Sequence, residues 1–216
     1  MHDDTSNITL AIAPGCPHCP NVMQALSEMV KQGDIGSMHV INIAVETDFA
    51  EQHRIRSVPW LKIGPFILTG AHTRHEIKQW YDKVNSPTGV ADYMVTMLTE
   101  GQLVTVTQML QAQPAAIHSL IPLITDTALN INVRLGIGAI MEDFAGQPLL
   151  HPLLPELVRL LEHPQARVRG DAAHFLGFLH DPSAISALTQ LQNDSDTEVR
   201  EIAQESIEQL ASLSIH

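Results

Sequence analysis

Apolar positions along the first 84 residues alternate between two periods. Asn7–Ala13 (NITLAIA) is a β-branched apolar run ending at Pro14-Gly15, which predicts a strand stopped by a turn. From Pro17 to about Lys31, Val22, Ala25, Leu26, Met29 and Val30 recur at helical spacing, and Gly33 closes the element. Met38–Val45 predicts a second strand and Asp48–Arg54 a short helix. Trp60–Ile63 and Phe66–Thr69 read as two strands joined across Gly64-Pro65. Thr73 caps a helix to about Val84, with Glu76 three residues on completing a capping box. The predicted order is β-α-β-α-β-β-α.

The pattern then changes. Asn85-Ser86-Pro87-Thr88-Gly89 is rich in turn residues and predicts a linker, residues 85–89, between a domain at 1–84 and another at 90–216. No strand pattern follows it. Asn132-Val133-Arg134, Arg167-Val168-Arg169 and Glu198-Val199-Arg200 recur, and each opens a helix carrying small and apolar residues. These are Gly136, Ile137 and Ile140, then Ala172, Ala173 and Leu176, then Ile202, Ala203 and Ile207. A shorter helix precedes each one, at Ala115–Ile124, His151–Leu161 and Ser183–Leu191. Two helices per period of just over thirty residues predict an α-solenoid, with Ala91–Thr99 and Leu103–Gln111 as a degenerate capping pair. The fold class expected is an α/β domain followed by an all-α solenoid.

Charge separates the halves further. The 216 residues carry 24 Asp+Glu against 12 Lys+Arg, a net charge of −12. Residues 1–84 hold 7 basic and 9 acidic side chains, whereas residues 85–216 hold 5 and 15, with no lysine. Phosphate binding rests on Lys and Arg, so no nucleic-acid partner is expected. No apolar run approaches the roughly 18–20 residues of a membrane span. The acidic opening Met1-His2-Asp3-Asp4 does not resemble a secretion signal, so no membrane partner and a cytoplasmic location are expected. Nothing in the pattern speaks to oligomeric state.

The only cysteines, Cys16 and Cys19, lie in Gly15-Cys16-Pro17-His18-Cys19-Pro20. A loop this small stabilises little, which leaves redox chemistry, metal binding or coincidence. The setting favours redox. Cys16 is expected near a helix N-terminus with Pro17 at the first helical position, where the dipole favours a thiolate. Cys19 follows one turn later on the same face, within disulfide reach. Cys16 can then attack a disulfide and Cys19 resolve the mixed disulfide. Two thiolates supply only half a tetrahedral zinc site, so a metal would need a second subunit. A second marker is Ser57-Val58-Pro59-Trp60, an X-Pro at a strand entry, the usual home of a cis peptide.

Together these features resemble the thioredoxin superfamily in its minimal, glutaredoxin-like form. Cys19-Pro20, Val22, Gln24-Ala25-Leu26, Val58-Pro59 and Thr73–Ile77 are similar to the N-terminal redox domain of alkyl hydroperoxide reductase flavoproteins. The likeness covers residues 8–80. It implies a cis Pro59 packed on the disulfide, a Val58 backbone free to pair with substrate, and Gly70-Ala71 at the family's glycine turn. Trp60, beside Pro59, could line a substrate groove or pack in the core, and Pro17 and His18 are expected to tune the pair. Pro17-His18 is the dipeptide of a disulfide-forming oxidase of the superfamily, and a His inside the ring makes the disulfide more oxidising. Three positions depart from the family. Pro14-Gly15 replaces the tryptophan before the first cysteine, and a glutaredoxin's basic residue is missing there. Leu10 stands where thioredoxins bury an acid, which makes Glu46 the candidate to move the Cys19 proton.

Val168-Arg169, Ala172-Ala173, Leu176-Gly177 and Asp181-Pro182-Ser183-Ala184-Ile185 resemble HEAT-like repeats of the phycobilisome-lyase type, over roughly residues 114–213. That likeness implies a protein partner held on one long face. Arg134, Arg169 and Arg200 are expected to bond neighbouring carboxylates, Asp171 and Asp196 among them. His72 and His75 are expected to be surface capping residues, and no metal site is expected. The function expected is a thiol–disulfide oxidoreductase acting on a protein disulfide or dithiol, with no cofactor beyond the Cys16–Cys19 disulfide. The alternative is a non-enzymatic HEAT-repeat adaptor whose cysteines form a redox switch, or an inter-subunit metal or iron–sulfur clip.

Overall fold

The computed structural model describes residues 7–213, so Met1-His2-Asp3-Asp4 lies outside the described residues. The chain divides into two compact units, one ending at Tyr93 and the other beginning at Met94.

The first unit contains β1 (Ile8–Ile12), α1 (Cys19–Gln32), β2 (Met38–Asn42), α2 (Thr47–Gln52), β3 (Trp60–Ile63), β4 (Phe66–Thr69) and α3 (Arg74–Lys83). This is the order the periodicity predicts. The strands form one sheet in the order β2-β1-β3-β4. The helical crossover through α1 makes β1 and β2 parallel, while β3 returns antiparallel to β1 and pairs with β4 through the tight Gly64-Pro65 connection. Leu10 stands opposite Leu61 and Ile8 opposite Ile63, and all four are buried. Val22, Leu26 and Met29 of α1 and Ile77 of α3 complete this core. Thr73 and Glu76 form the capping box, and the hydrogen bonds from Thr73 hold the Glu76 carboxyl below its usual range.

Two boundaries differ from expectation. Helix α1 starts at Cys19 rather than Pro17, with His18 as its N-cap. The proline that fits the first turn is Pro20, whose missing N–H would have no intrahelical partner there. The first unit also runs past residue 84, because its core continues through Tyr93. Tyr93 is fully buried, stacks on Phe66 at 5.0 Å between centroids, and meets Trp80 edge-on at 5.4 Å. Its hydroxyl donates to the Ile67 carbonyl at 2.7 Å and accepts from the Ile67 N–H at 3.1 Å. Since β4 is an edge strand, that hydroxyl satisfies peptide groups a further strand would otherwise take.

Tyr93 lies on α4 (Gly89–Thr99), which α5 (Leu103–Ala112) follows. Three helix pairs come next: α6 (Leu120–Thr125) with α7 (Ile131–Asp143), α8 (Leu154–Leu160) with α9 (Ala166–Phe178), and α10 (Ile185–Gln190) with α11 (Thr197–Leu213). A 3₁₀ turn with a proline in its first two positions introduces each short helix, at Pro114–Ser119, His151–Leu153 and Pro182–Ala184. Val133, Val168 and Val199 are buried at the matching position of each long helix. Close packing of α9 on α11 depends on small residues. A Cβ at Gly177 would lie 3.3 Å from the Ser206 hydroxyl oxygen.

The arginines knit the joints, although not to the carboxylates expected. Arg169 grips Asp194 with two bonds of 2.7 Å and also donates to the His163 and Pro164 carbonyls. Arg200 donates to the Asp194 carbonyl at 2.7 Å. Asp171 pairs instead with Arg167, one helical turn before it, at 2.9 Å. Asp196 is occupied in accepting from the Glu198 and Val199 N–H groups at the start of α11.

Candidate active site

Beyond β1 the chain turns through Pro14-Gly15 and delivers Cys16 and Cys19 to the mouth of α1. The two cysteines form a disulfide, with Cα atoms 5.6 Å apart. Cys16 is half-buried, whereas Cys19 is only 5% exposed. The asymmetry assigns access: an approaching sulfur can reach Cys16 first. The Cys19 N–H, the first of α1, points at Cys16 Sγ from 3.1 Å. In the reduced state this donor and the helix terminus both favour a Cys16 thiolate. Pro17 and His18 are exposed between the sulfurs, and His18 makes no side-chain cap.

The second segment is the entry to β3. The Val58–Pro59 peptide is cis, and the Val58 carbonyl oxygen lies 3.6 Å from Cys16 Sγ, across 42 residues of sequence. The third is the end of β4, where the Gly70 N–H donates to the Pro59 carbonyl at 2.9 Å. The fold therefore brings Cys16, Cys19, Val58, Pro59 and Gly70 together. Trp60 takes the core alternative. It is 3% exposed and packs against Phe49 and His53, with centroids 6.1 and 5.6 Å away. Its ring supports the loop from within and offers no face to a substrate.

His53 is the member of this cluster that sequence reading missed. It packs on Phe49 with centroids 4.2 Å apart and rings tilted, four residues earlier, and that spacing is the one signal the sequence held. Burial, then the charge of Lys62, pushes the His53 imidazole below its usual range. Leu10 is fully buried, and Glu46 is an exposed N-cap of α2. Among the described residues Ser206, in the second unit, is the only buried polar side chain. No buried carboxylate therefore stands beneath Cys19. His72 meets the Thr69 carbonyl at 3.2 Å and His75 meets Gln79 at 3.0 Å, both at the surface.

Residues 6–82 match the family model of a thioredoxin domain, and residues 117–208 match that of HEAT repeats. The chain joins a thioredoxin domain to HEAT repeats. No curated relative matches it. Within the HEAT repeats a groove of about 400 Å³ runs between α7 and α9, lined by Ile131, Leu135, Ile137, Asp171, His174 and Phe175. Ile131 and Leu135 are exposed at its rim, and burial pushes the Asp171 carboxyl up against the pull of Arg167 and Arg134. Among the described residues no helix is long and apolar enough to cross a membrane.

Proposed function

We propose that the thioredoxin domain is a thiol–disulfide oxidoreductase and that the HEAT repeats recruit a protein partner. The observation that carries this reading is the pairing of an accessible Cys16, backed by the Cys19 N–H, with the Val58 carbonyl beside the cis proline. In the reducing direction the Cys16 thiolate attacks a substrate disulfide. A mixed disulfide forms and one substrate thiolate leaves. The Cys19 thiolate then attacks Cys16 Sγ, closing the Cys16–Cys19 disulfide and releasing the second substrate thiolate. Two electrons pass to the substrate, and a thiol reductant restores the dithiol. The reverse sequence oxidises a substrate dithiol. The disulfide itself carries the electrons, so no organic cofactor takes part. Val58 offers its backbone to the substrate chain, and Pro59, held by Gly70, keeps the loop against Cys16.

A Cys19→Ser variant tests this directly. Incubated with cell extract, it should accumulate mixed disulfides through Cys16, because the resolving thiol is gone. Cys16→Ser should trap nothing, since Cys19 is buried. A Cys19→Ser variant that traps no protein, in a chain that still captures a partner independently of both cysteines, would favour a HEAT-repeat adaptor.

A further inference from the structure

The first unit holds seven Lys and Arg side chains, and they fall into two groups. Lys31, Arg74, Lys78 and Lys83 are ion-paired, with Glu28, Asp34, Asp82 and Asp92. Arg54, Arg56 and Lys62 make no ion pair or side-chain hydrogen bond among the described residues. All three lie within nine residues that also contain Val58-Pro59. Arg54 and Arg56 are exposed, and the charge of Lys62 is felt by His53. Arg56 precedes Val58 by two residues, so their Cα atoms lie within about 7 Å of each other. The Val58 carbonyl is the group standing 3.6 Å from Cys16 Sγ.

Arg54 is also out of place on local grounds. It ends α2 in the left-handed region, at φ 51°, with its N–H bonded to the Glu51 carbonyl and the Ile55 N–H bonded to the Ala50 carbonyl. That closing motif favours glycine or asparagine at the left-handed position. An arginine here serves neither the turn nor an ion pair. The exposed acids of the α2 segment, Glu46, Asp48 and Glu51, bond to neither arginine. The loop that carries both arginines runs into Val58, whose carbonyl stands beside Cys16 Sγ.

We propose that Arg54 and Arg56 form an anion-binding rim that selects substrates whose disulfide is flanked by Asp or Glu. This rests on the thiol–disulfide exchange reading and names its substrate class. The rim is exposed, so each charge pair adds little, and two together make a preference of about tenfold that salt screens.

The test uses the full-length chain, dithiothreitol as reductant, and three peptides of equal length with an internal disulfide flanked by Glu, by Gln or by Lys. At low ionic strength kcat/KM for the Glu peptide should exceed that for the Lys peptide about tenfold, and about 1 M salt should bring the ratio near one. An Arg54→Asn, Arg56→Gln double variant should lose the ratio even at low salt, whereas Arg56→Lys should keep it. Asparagine tolerates the left-handed backbone, and circular dichroism checks that the double variant is folded. Equal rates on the Glu and Lys peptides, or a ratio that survives in the double variant, would overturn the inference while leaving exchange intact. If no peptide is reduced, the exchange reading falls and the inference falls with it.

Discussion

The thioredoxin head and the HEAT repeats use the same apolar residues in opposite ways. In the head, β1 pairs with β3 some fifty positions further along the chain, and the disulfide meets a carbonyl 42 residues away. In the repeats α9 packs on α11 one repeat later, while α8 and α10 pack on the long helices that directly follow them, with valine, alanine and glycine at matching positions. Their charges differ as well. Arg167, Arg169 and Arg200 of the repeats are spent on internal joints, while Arg54, Arg56 and Lys62 of the head, close to Pro59 in sequence, form no ion pair among the described residues. Chemistry thus gathers where long-range closure forces unlike segments together. The repeats spread their stability along the chain.

The largest expected effect breaks the comparison at its chemical end. Cys16→Ser should reduce disulfide turnover to background, while far-UV circular dichroism of the helix-rich repeats stays unchanged. A variant with residual turnover would show that Cys19 can itself attack the substrate disulfide.

Stability comes next. Tyr93→Ala removes a ring packed between Phe66 and Trp80, and should destabilise the head by about 3–5 kcal/mol. Tyr93→Phe keeps the ring but leaves the Ile67 peptide groups unpaired, for about 1–2 kcal/mol. Both tryptophans, Trp60 and Trp80, lie in the head, so urea unfolding followed by tryptophan fluorescence reads that unit. A head expressed as residues 1–84 should share the Tyr93→Ala defect. One extended past Tyr93 should not.

In the repeats, Asp194→Asn should cost about 2 kcal/mol, because Arg169 would be left half-buried without its charge partner. The Arg169 guanidinium holds the Asp194 carboxyl below its usual range, so its contribution is present above about pH 4 and lost as acid protonates it. Acid unfolding monitored by far-UV circular dichroism should therefore be less steep in the variant. Equal steepness would show that other carboxylates govern acid stability there.

The smallest effect sets the two regions against each other in mild acid. Burial of His53 favours its neutral form, so folding stability should decline as pH falls below the unfolded imidazole value, about 6.5. Tryptophan fluorescence of the head should register this loss at a higher pH than the carboxylate-driven loss in the repeats. His53→Gln should flatten the head's profile between about pH 6.5 and 5.

Much of the head and the repeat period was legible because periodicity is local. The β3 and β4 bounds, the Thr73–Glu76 cap and the Gly33 stop each depend on residues within a few positions. Cys16, Cys19 and Val58-Pro59 were legible as two separate motifs. The start of α1 was misread because two prolines, Pro17 and Pro20, compete for its first turn, and only the packed helix decides between them.

By itself, then, the sequence determined the elements, their order and the residues able to do sulfur chemistry. Those follow from side-chain period and backbone preference, which act over a turn or a strand. Tertiary structure decided which carboxylate each arginine takes, that Trp60 turns inward onto His53 and Phe49, and that Tyr93 closes the edge of β4. It also decided that the loop carrying Arg54 and Arg56 leads into Val58, whose carbonyl stands beside Cys16 Sγ. These outcomes depend on where distant segments meet, and a one-dimensional pattern carries no record of which side chains arrive together or which are left over.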